Sequence, residues 1–121
     1  MTERIPKRGE VWVVRFGAGG VGVGVGEPTK NRPALVLSDD ALVTGSPTDL
    51  FVVIPFSASL QKSALRPSIT PPDDIPIEHA SVAVVAAIRG VPRDRLLSRI
   101  GPLSNDALAR VLTALQATLA L

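Results

Sequence analysis

Short apolar segments, interrupted by turn-forming residues, run through the first two-thirds of the chain. The segments are residues 10–16, 33–38, 49–55, 68–70 and 81–85. They are too short for typical helices, and the first is rich in β-branched and aromatic side chains, which favours a strand. The chain contains 11 prolines and 10 glycines. In this region they occur too often for a long stretch of helical periodicity. We therefore predict a series of short β-strands.

The end of the chain has a different pattern. Apolar residues recur there at the spacing of one helix face: Leu108, Val111, Leu112, Leu115 and Leu119. Ser104 precedes them as a predicted N-cap, followed by an acidic first turn. We predict a single domain over residues 1–121, mainly β with one C-terminal helix, in which the helix covers a small barrel or a neighbouring copy.

Composition excludes several classes of protein. Hydrophobic residues make up 45% and charged residues 20%, as in ordinary globular domains. There is no cysteine and only one histidine, so we expect no disulfide, metal or other cofactor. No apolar run approaches the roughly 20 residues of a membrane span, and the N-terminus lacks the apolar region of a signal peptide. We expect a cytoplasmic protein without membrane contact; a net charge of +2 is too small to identify a partner.

Two local features suggest chemistry only weakly. Residues 17–22 match the G-x-G-x-x-G pattern of dinucleotide sites after a strand, but the following Val-Gly-Val-Gly-Glu-Pro cannot begin the helix that such a site requires. We predict a glycine-rich surface loop over residues 17–26 instead. His79, alone in a loop, is predicted to be a solvated side chain.

A more informative pair lies at two predicted strand ends. Arg32 stands just before Pro33 at the start of the second apolar segment, and Ser57 follows the third. Sites often form at such positions on a rigid scaffold. An arginine offers a planar fork of donors that suits phosphate oxygens, and a serine hydroxyl can donate or accept a hydrogen bond. These two residues alone do not identify a function.

Taken in order, several segments resemble the MazF/PemK/Kid family of toxins over nearly the whole chain. The matching segments are residues 8–12, 31–40, 53–57, 81–83, 88–89 and 99–104. The resemblance implies an SH3-like or CcdB-like barrel, a homodimer, and a metal-independent endoribonuclease that cuts single-stranded RNA. It also implies restraint by a cognate MazE-like antitoxin with an acidic tail, and products with 2′,3′-cyclic phosphate and 5′-hydroxyl ends.

The resemblance assigns roles to individual residues. Arg32 takes the place of the catalytic arginine, and Ser57 that of the catalytic hydroxyl, which is usually a threonine. The residues expected to bind RNA are Glu27, Lys30, Lys62 and Arg89. The chain departs from the family at Ala80 and Ala86, where relatives often carry acidic residues, so the general base is unassigned. Two alternatives stay open: a gyrase-poisoning toxin like CcdB, and a member that kept the fold but lost its chemistry.

Overall fold

The computed structural model describes residues 4–16, 31–43, 46–58, 63 and 65–121. Within these ranges the strands are β1 (Glu10–Arg15), β2 (Asn31–Val36), β3 (Leu50–Ser57), β4 (Ser68–Ile69), β5 (Ser81–Ala83), β6 (Arg89–Pro92) and β7 (Leu96–Pro102). The helix α1 spans Asn105–Leu119, and 3₁₀ turns cover Asp40–Leu42, Val85–Ala87 and Arg93–Arg95. The predicted loop at residues 17–26 lies outside the described residues.

The described strands form one curled antiparallel sheet in the order β4-β5-β3-β2-β1-β7, with β6 also paired to β3. β3 is the central element because it exchanges partners along its length. Its first half pairs with β6, from Leu50 to Val53, and its last two residues pair with β5. The resulting half-barrel with one terminal helix confirms the predicted fold class.

Apolar residues on the two faces of this sheet form two separate cores. The helix-side core includes Leu35, Ile54, Phe56 and Val111, whereas the residues before and after Leu35 belong to the second core. Alternate side chains of a strand point to opposite faces, so continuous apolar runs such as those of β2 and β3 are buried on both sides. The second core is covered by the curl of the sheet itself, which brings Val91 and Leu96 onto it.

The helix α1 is fixed by its cap and by its apolar face. The Oγ of Ser104 accepts a hydrogen bond from the N–H of Ala107 at 3.1 Å, as predicted for an N-cap. Val111 is fully buried in the helix-side core, but Leu119, at the end of the predicted stripe, is half exposed. Among the described residues, no helix is long and apolar enough to cross a membrane.

Strand β1 is tied to β7 by a buried carboxylate. Glu10 accepts hydrogen bonds from the N–H of Lys7 at 2.9 Å, from the indole N–H of Trp12 at 3.1 Å and from the guanidinium of Arg99. Burial alone raises the pKa of Glu10, but these hydrogen bonds and the positive charge of Arg99 outweigh it and lower that pKa below its ordinary value. The pair therefore holds two distant parts of the chain in register.

Sequence reasoning missed two strands and extended several others by one or two residues too many. β6 and β7 contain arginine, glycine and proline in patterns without clear alternation, and they are formed by pairing with β3 and β1. The segment predicted as one strand over residues 81–85 is a strand only as far as Ala83. It then enters the 3₁₀ turn Val85–Ala87.

Candidate functional site at the ends of two neighbouring strands

The register of β2 and β3 brings the two predicted catalytic residues together. Ala34 pairs with Pro55, and Val36 pairs with Val53. Continuing this register to the ends of both strands sets Arg32 opposite Ser57. Directly opposite residues of an antiparallel pair share a face, with Cβ atoms about 4.5–5.5 Å apart. The guanidinium and the hydroxyl therefore start from neighbouring positions on one face of the sheet.

Two prolines shape the strand ends that carry this pair. Pro33 follows Arg32, and Pro55 stands two residues before Ser57. Proline has no N–H to donate, so each interrupts the hydrogen-bonding ladder beside the site. At Pro55 the outer partner of β3 changes from β6 to β5, and Ser57 then pairs with Val82. The half-buried Arg32 and Ser57 are thus held by the sheet at a place where its ladder is incomplete.

Arg89 reaches the same face from β6. It pairs with Val53, which lies on the face that Ser57 shares. Its guanidinium carbon lies 5.5 Å from the centre of the Phe16 ring, a cation–π contact that fixes the side chain. Phe16 lies two residues beyond Val14, the β1 partner of Arg32. The contact therefore directs a second arginine toward the region of Arg32.

A pocket of about 200 Å³ adjoins Arg32. Its walls combine apolar surface with polar groups at the entrance, and the lining residues are Arg32, Pro33, Phe56, Ala58, Ile77, Glu78, His79 and Ser81. The side chains of Glu78 and His79 are 88% and 81% exposed and lie 3.9 Å apart, so they form the outer rim. This agrees with the predicted solvent exposure of His79, although its place beside a pocket was not foreseen.

Asp74 anchors the segment that supplies one wall of this pocket. Its carboxylate accepts hydrogen bonds from the N–H of Thr70 at 2.9 Å, the hydroxyl of Ser104 at 2.9 Å and the guanidinium of Arg110 at 3.0 Å. Burial raises the pKa of Asp74, but the three hydrogen bonds and the charge of Arg110 together lower it below its ordinary value. The helix cap and the pocket segment are therefore joined through one carboxylate.

The remaining predicted RNA-binding residues Glu27, Lys30 and Lys62 lie outside the described residues. Asp74 and the rim residues were missed by sequence reasoning, because their partners are distant in the chain. Within the described parts of the chain, no group of three or more acidic, histidine or cysteine side chains is arranged to hold a metal ion.

Solved structures with the same fold include MazF proteins and an endoribonuclease. A MazF from Deinococcus radiodurans aligns over 98% of this chain and 100% of its own, with 24% identity and a TM-score of 0.76. A MazE-MazF complex from the same organism aligns over 98% and 99%, with 22% identity and a TM-score of 0.72. An endoribonuclease in complex with its cognate antitoxin, from a mycobacterial species, aligns over 97% of both chains, with 20% identity and a TM-score of 0.71.

The fold thus places the chain among small proteins built on a curled sheet with one terminal helix. The model of the family described as PemK-like, MazF-like toxin of type II toxin-antitoxin system matches residues 7–119. The chain belongs to this family, which confirms the resemblance found in the sequence. The match does not favour the CcdB-like alternative.

Proposed function

We propose that this protein is a metal-independent endoribonuclease that cuts single-stranded RNA, with Arg32 and Ser57 as its catalytic residues. The observation that supports the proposal is the register of β2 and β3: continued two residues beyond the paired Ala34 and Pro55, it sets residues 32 and 57 opposite each other. Membership in the PemK-like, MazF-like family supports the same activity, as does an endoribonuclease among the proteins of the same fold.

The proposed reaction uses a nucleophile that RNA itself provides. The 2′-oxygen attacks the adjacent phosphorus and loses its proton, the bond from phosphorus to the 5′-oxygen breaks, and that oxygen gains a proton. The products are a 2′,3′-cyclic phosphate and a 5′-hydroxyl. Arg32 stabilises the negative charge that grows on the phosphate oxygens, and Ser57 donates a hydrogen bond to the same phosphate. Alanines at positions 80 and 86 carry no titratable group, so the proton acceptor is another group.

Single-stranded RNA is the substrate for geometric reasons. Attack in line with the leaving oxygen requires a backbone that can leave the A-form, and unpaired bases are free to be recognised. Arg89, held over Phe16, contributes positive charge beside the reacting phosphate. Glu27, Lys30 and Lys62 complete the proposed RNA-binding surface, whose affinity falls as salt rises.

The proposed assembly is a homodimer that a cognate antitoxin inhibits in the cytoplasm. The MazE-MazF complexes among proteins of the same fold support an antitoxin partner. An acidic, disordered tail complements a site that contains Arg32 and Arg89, and its binding there excludes RNA.

The decisive experiment is cleavage of a long unstructured RNA in excess EDTA, followed by analysis of the product ends. We expect cleavage by the wild type, with 5′-hydroxyl ends that polynucleotide kinase labels directly. Arg32→Ala should reduce the rate by about 10²–10⁴, the usual cost of losing one group that stabilises the transition state. Arg4→Ala, which removes an exposed arginine outside the site, is the charge-matched control.

Variants at position 57 test the hydroxyl separately. Ser57→Thr keeps a hydroxyl and should retain activity, whereas Ser57→Ala should not. Equal cleavage rates for the wild type and Arg32→Ala would refute the catalytic role of Arg32. Equal rates with serine, threonine and alanine at position 57 would refute the role of the Ser57 hydroxyl. A folded wild type that cuts no RNA at any concentration would instead identify a member that has lost its chemistry.

A further inference from the structure

We infer that the pocket beside Arg32 binds one nucleobase of the RNA and that Glu78 at its rim selects the base. This inference rests on the proposed function, since it names the part of the substrate that lies next to the reacting phosphate. Three features of the pocket support the inference: its position, its size and the polar groups on its rim.

The position of the pocket connects it to the proposed chemistry. Arg32 lines the pocket and also lies opposite Ser57. Pro33 and Phe56 alternate with Arg32 and Ser57 along their strands, so the pocket opens from the other face of the sheet, and Arg32 is the residue that borders both places. A phosphate held by Arg32 leaves the base of an adjoining nucleotide within reach of this entrance. Unpaired bases of single-stranded RNA are commonly turned out of the stack and bound in this way.

The size and the walls fit a single ring system. A volume of about 200 Å³ is smaller than the roughly 300–1,000 Å³ of pockets that hold drug-sized ligands. Pro33, Phe56 and Ile77 supply apolar surface for the flat faces of a base. The imidazole of His79 adds a planar group on which a base can stack.

The polar groups favour a base over a second phosphate. The carboxylate of Glu78 repels anions but accepts hydrogen bonds from the N–H groups of a base edge. Ser81 contributes a buried hydroxyl whose Oγ has no hydrogen-bond partner among the described residues.

The chemistry of Glu78 predicts an order among the bases. Guanine presents two adjacent N–H donors that match the two oxygens of a carboxylate, and adenine and cytosine each present one amino group. Uracil presents a single N–H between two carbonyl oxygens, and these oxygens are repelled by the negatively charged carboxylate. We therefore expect guanine to bind most tightly and uracil most weakly.

The only histidine of the chain supplies a direct probe, because its imidazole resonance needs no assignment by mutation. The full-length protein is titrated with the four nucleoside 3′-monophosphates while the His79 resonance is followed by NMR. We expect a saturable shift whose apparent affinity is about fivefold to tenfold higher for guanosine than for uridine, the lower end of the discrimination given by a bidentate contact. Glu78→Gln should remove most of this difference. Asp94→Asn, which neutralises an exposed carboxylate outside the pocket lining, should leave it unchanged.

Cleavage of a pool of random single-stranded RNAs gives the functional readout. Glu78→Gln should change the base preferred at one position beside the cut while cleavage persists, and Asp94→Asn should not. If no nucleotide shifts the His79 resonance, or if all four shift it equally, the inference is wrong even when the protein cuts RNA. If the shifts depend on the base but no RNA is cut, the pocket assignment holds and the proposed catalysis fails.

Discussion

Removal of the Asp74 carboxylate should destabilise the whole domain, because one side chain joins the helix cap to the pocket segment. In Asp74→Ala the hydroxyl of Ser104 and the N–H of Thr70 each lose a charged acceptor at 2.9 Å. Hydrogen bonds to charged groups contribute roughly 1.5–3 kcal/mol each when shielded from water. Thr70 is exposed, and the side chain of Arg110 is 46% exposed, so these two contacts contribute less.

We therefore expect a loss of about 2–4 kcal/mol in the free energy of unfolding. For a chain of 121 residues, this corresponds to a fall in Tm of about 8–16 °C, at roughly 4 °C per kcal/mol. The assay is urea and thermal unfolding of the wild type and variant, followed by circular dichroism. Asp73→Ala is the matched control, since it removes the same carboxylate from the adjacent exposed position and should cost less than about 0.5 kcal/mol.

The pH dependence of stability, measured for the wild type and Asp74→Ala, tests the electrostatic contribution of the Asp74 carboxylate. The pKa of Asp74 is lowered in the folded state, so its contribution is complete above the unfolded value of about 3.9 and is lost as pH falls through the folded pKa. The stability difference between the wild type and Asp74→Ala should therefore be constant near neutral pH and shrink in acid below about pH 4. Equal losses for the variants at positions 73 and 74, or a difference that grows in acid, would refute the reasoning.

Three further substitutions test other parts of the structure. Glu10→Ala leaves the buried indole N–H of Trp12 and the Arg99 guanidinium without their acceptor, so the free energy of unfolding should fall by about 2–4 kcal/mol. Urea unfolding followed by the fluorescence of the single tryptophan measures this loss, and a loss below about 1 kcal/mol would contradict the network. Phe16→Leu removes the buried ring under Arg89 and should lower RNA affinity about twofold to fivefold, the effect of a cation–π contact worth roughly 0.5–1 kcal/mol. Phe51→Leu, the same change at a buried position of the same core, should leave affinity unchanged, and equal effects would mean that Phe16 acts only through packing. Ser81→Ala removes a buried hydroxyl that has no hydrogen-bond partner among the described residues, and it should keep or raise stability in urea unfolding. A loss above about 1 kcal/mol would reveal a partner for the hydroxyl.

The elements that sequence reasoning found are those whose signal is local. β1, β2 and β3 each contain a run of apolar residues, and α1 has both a periodic face and a serine cap. The elements it missed depend on distant partners. β7 contains Ser98, Arg99, Gly101 and Pro102, a composition with little intrinsic strand preference, and pairing with β1 holds it extended in spite of two shifts of register.

The same distinction explains how much of the candidate site could be foreseen. Arg32 and Ser57 could be assigned to strand ends because a proline accompanies each of them in the sequence, but their position opposite one another follows from the register of β2 and β3. Pro55 explains the gap in the hydrogen-bonding ladder beside the pair. Proline has no N–H to donate to a neighbouring strand, and the partner of β3 changes at this residue from β6 to β5. The rim of the pocket includes residues 77–79, which follow a turn that Asp74 joins to the helix cap. A local pattern can therefore predict candidate residues for the chemistry, whereas the pocket beside Arg32 also depends on contacts that span 30 residues or more of the chain.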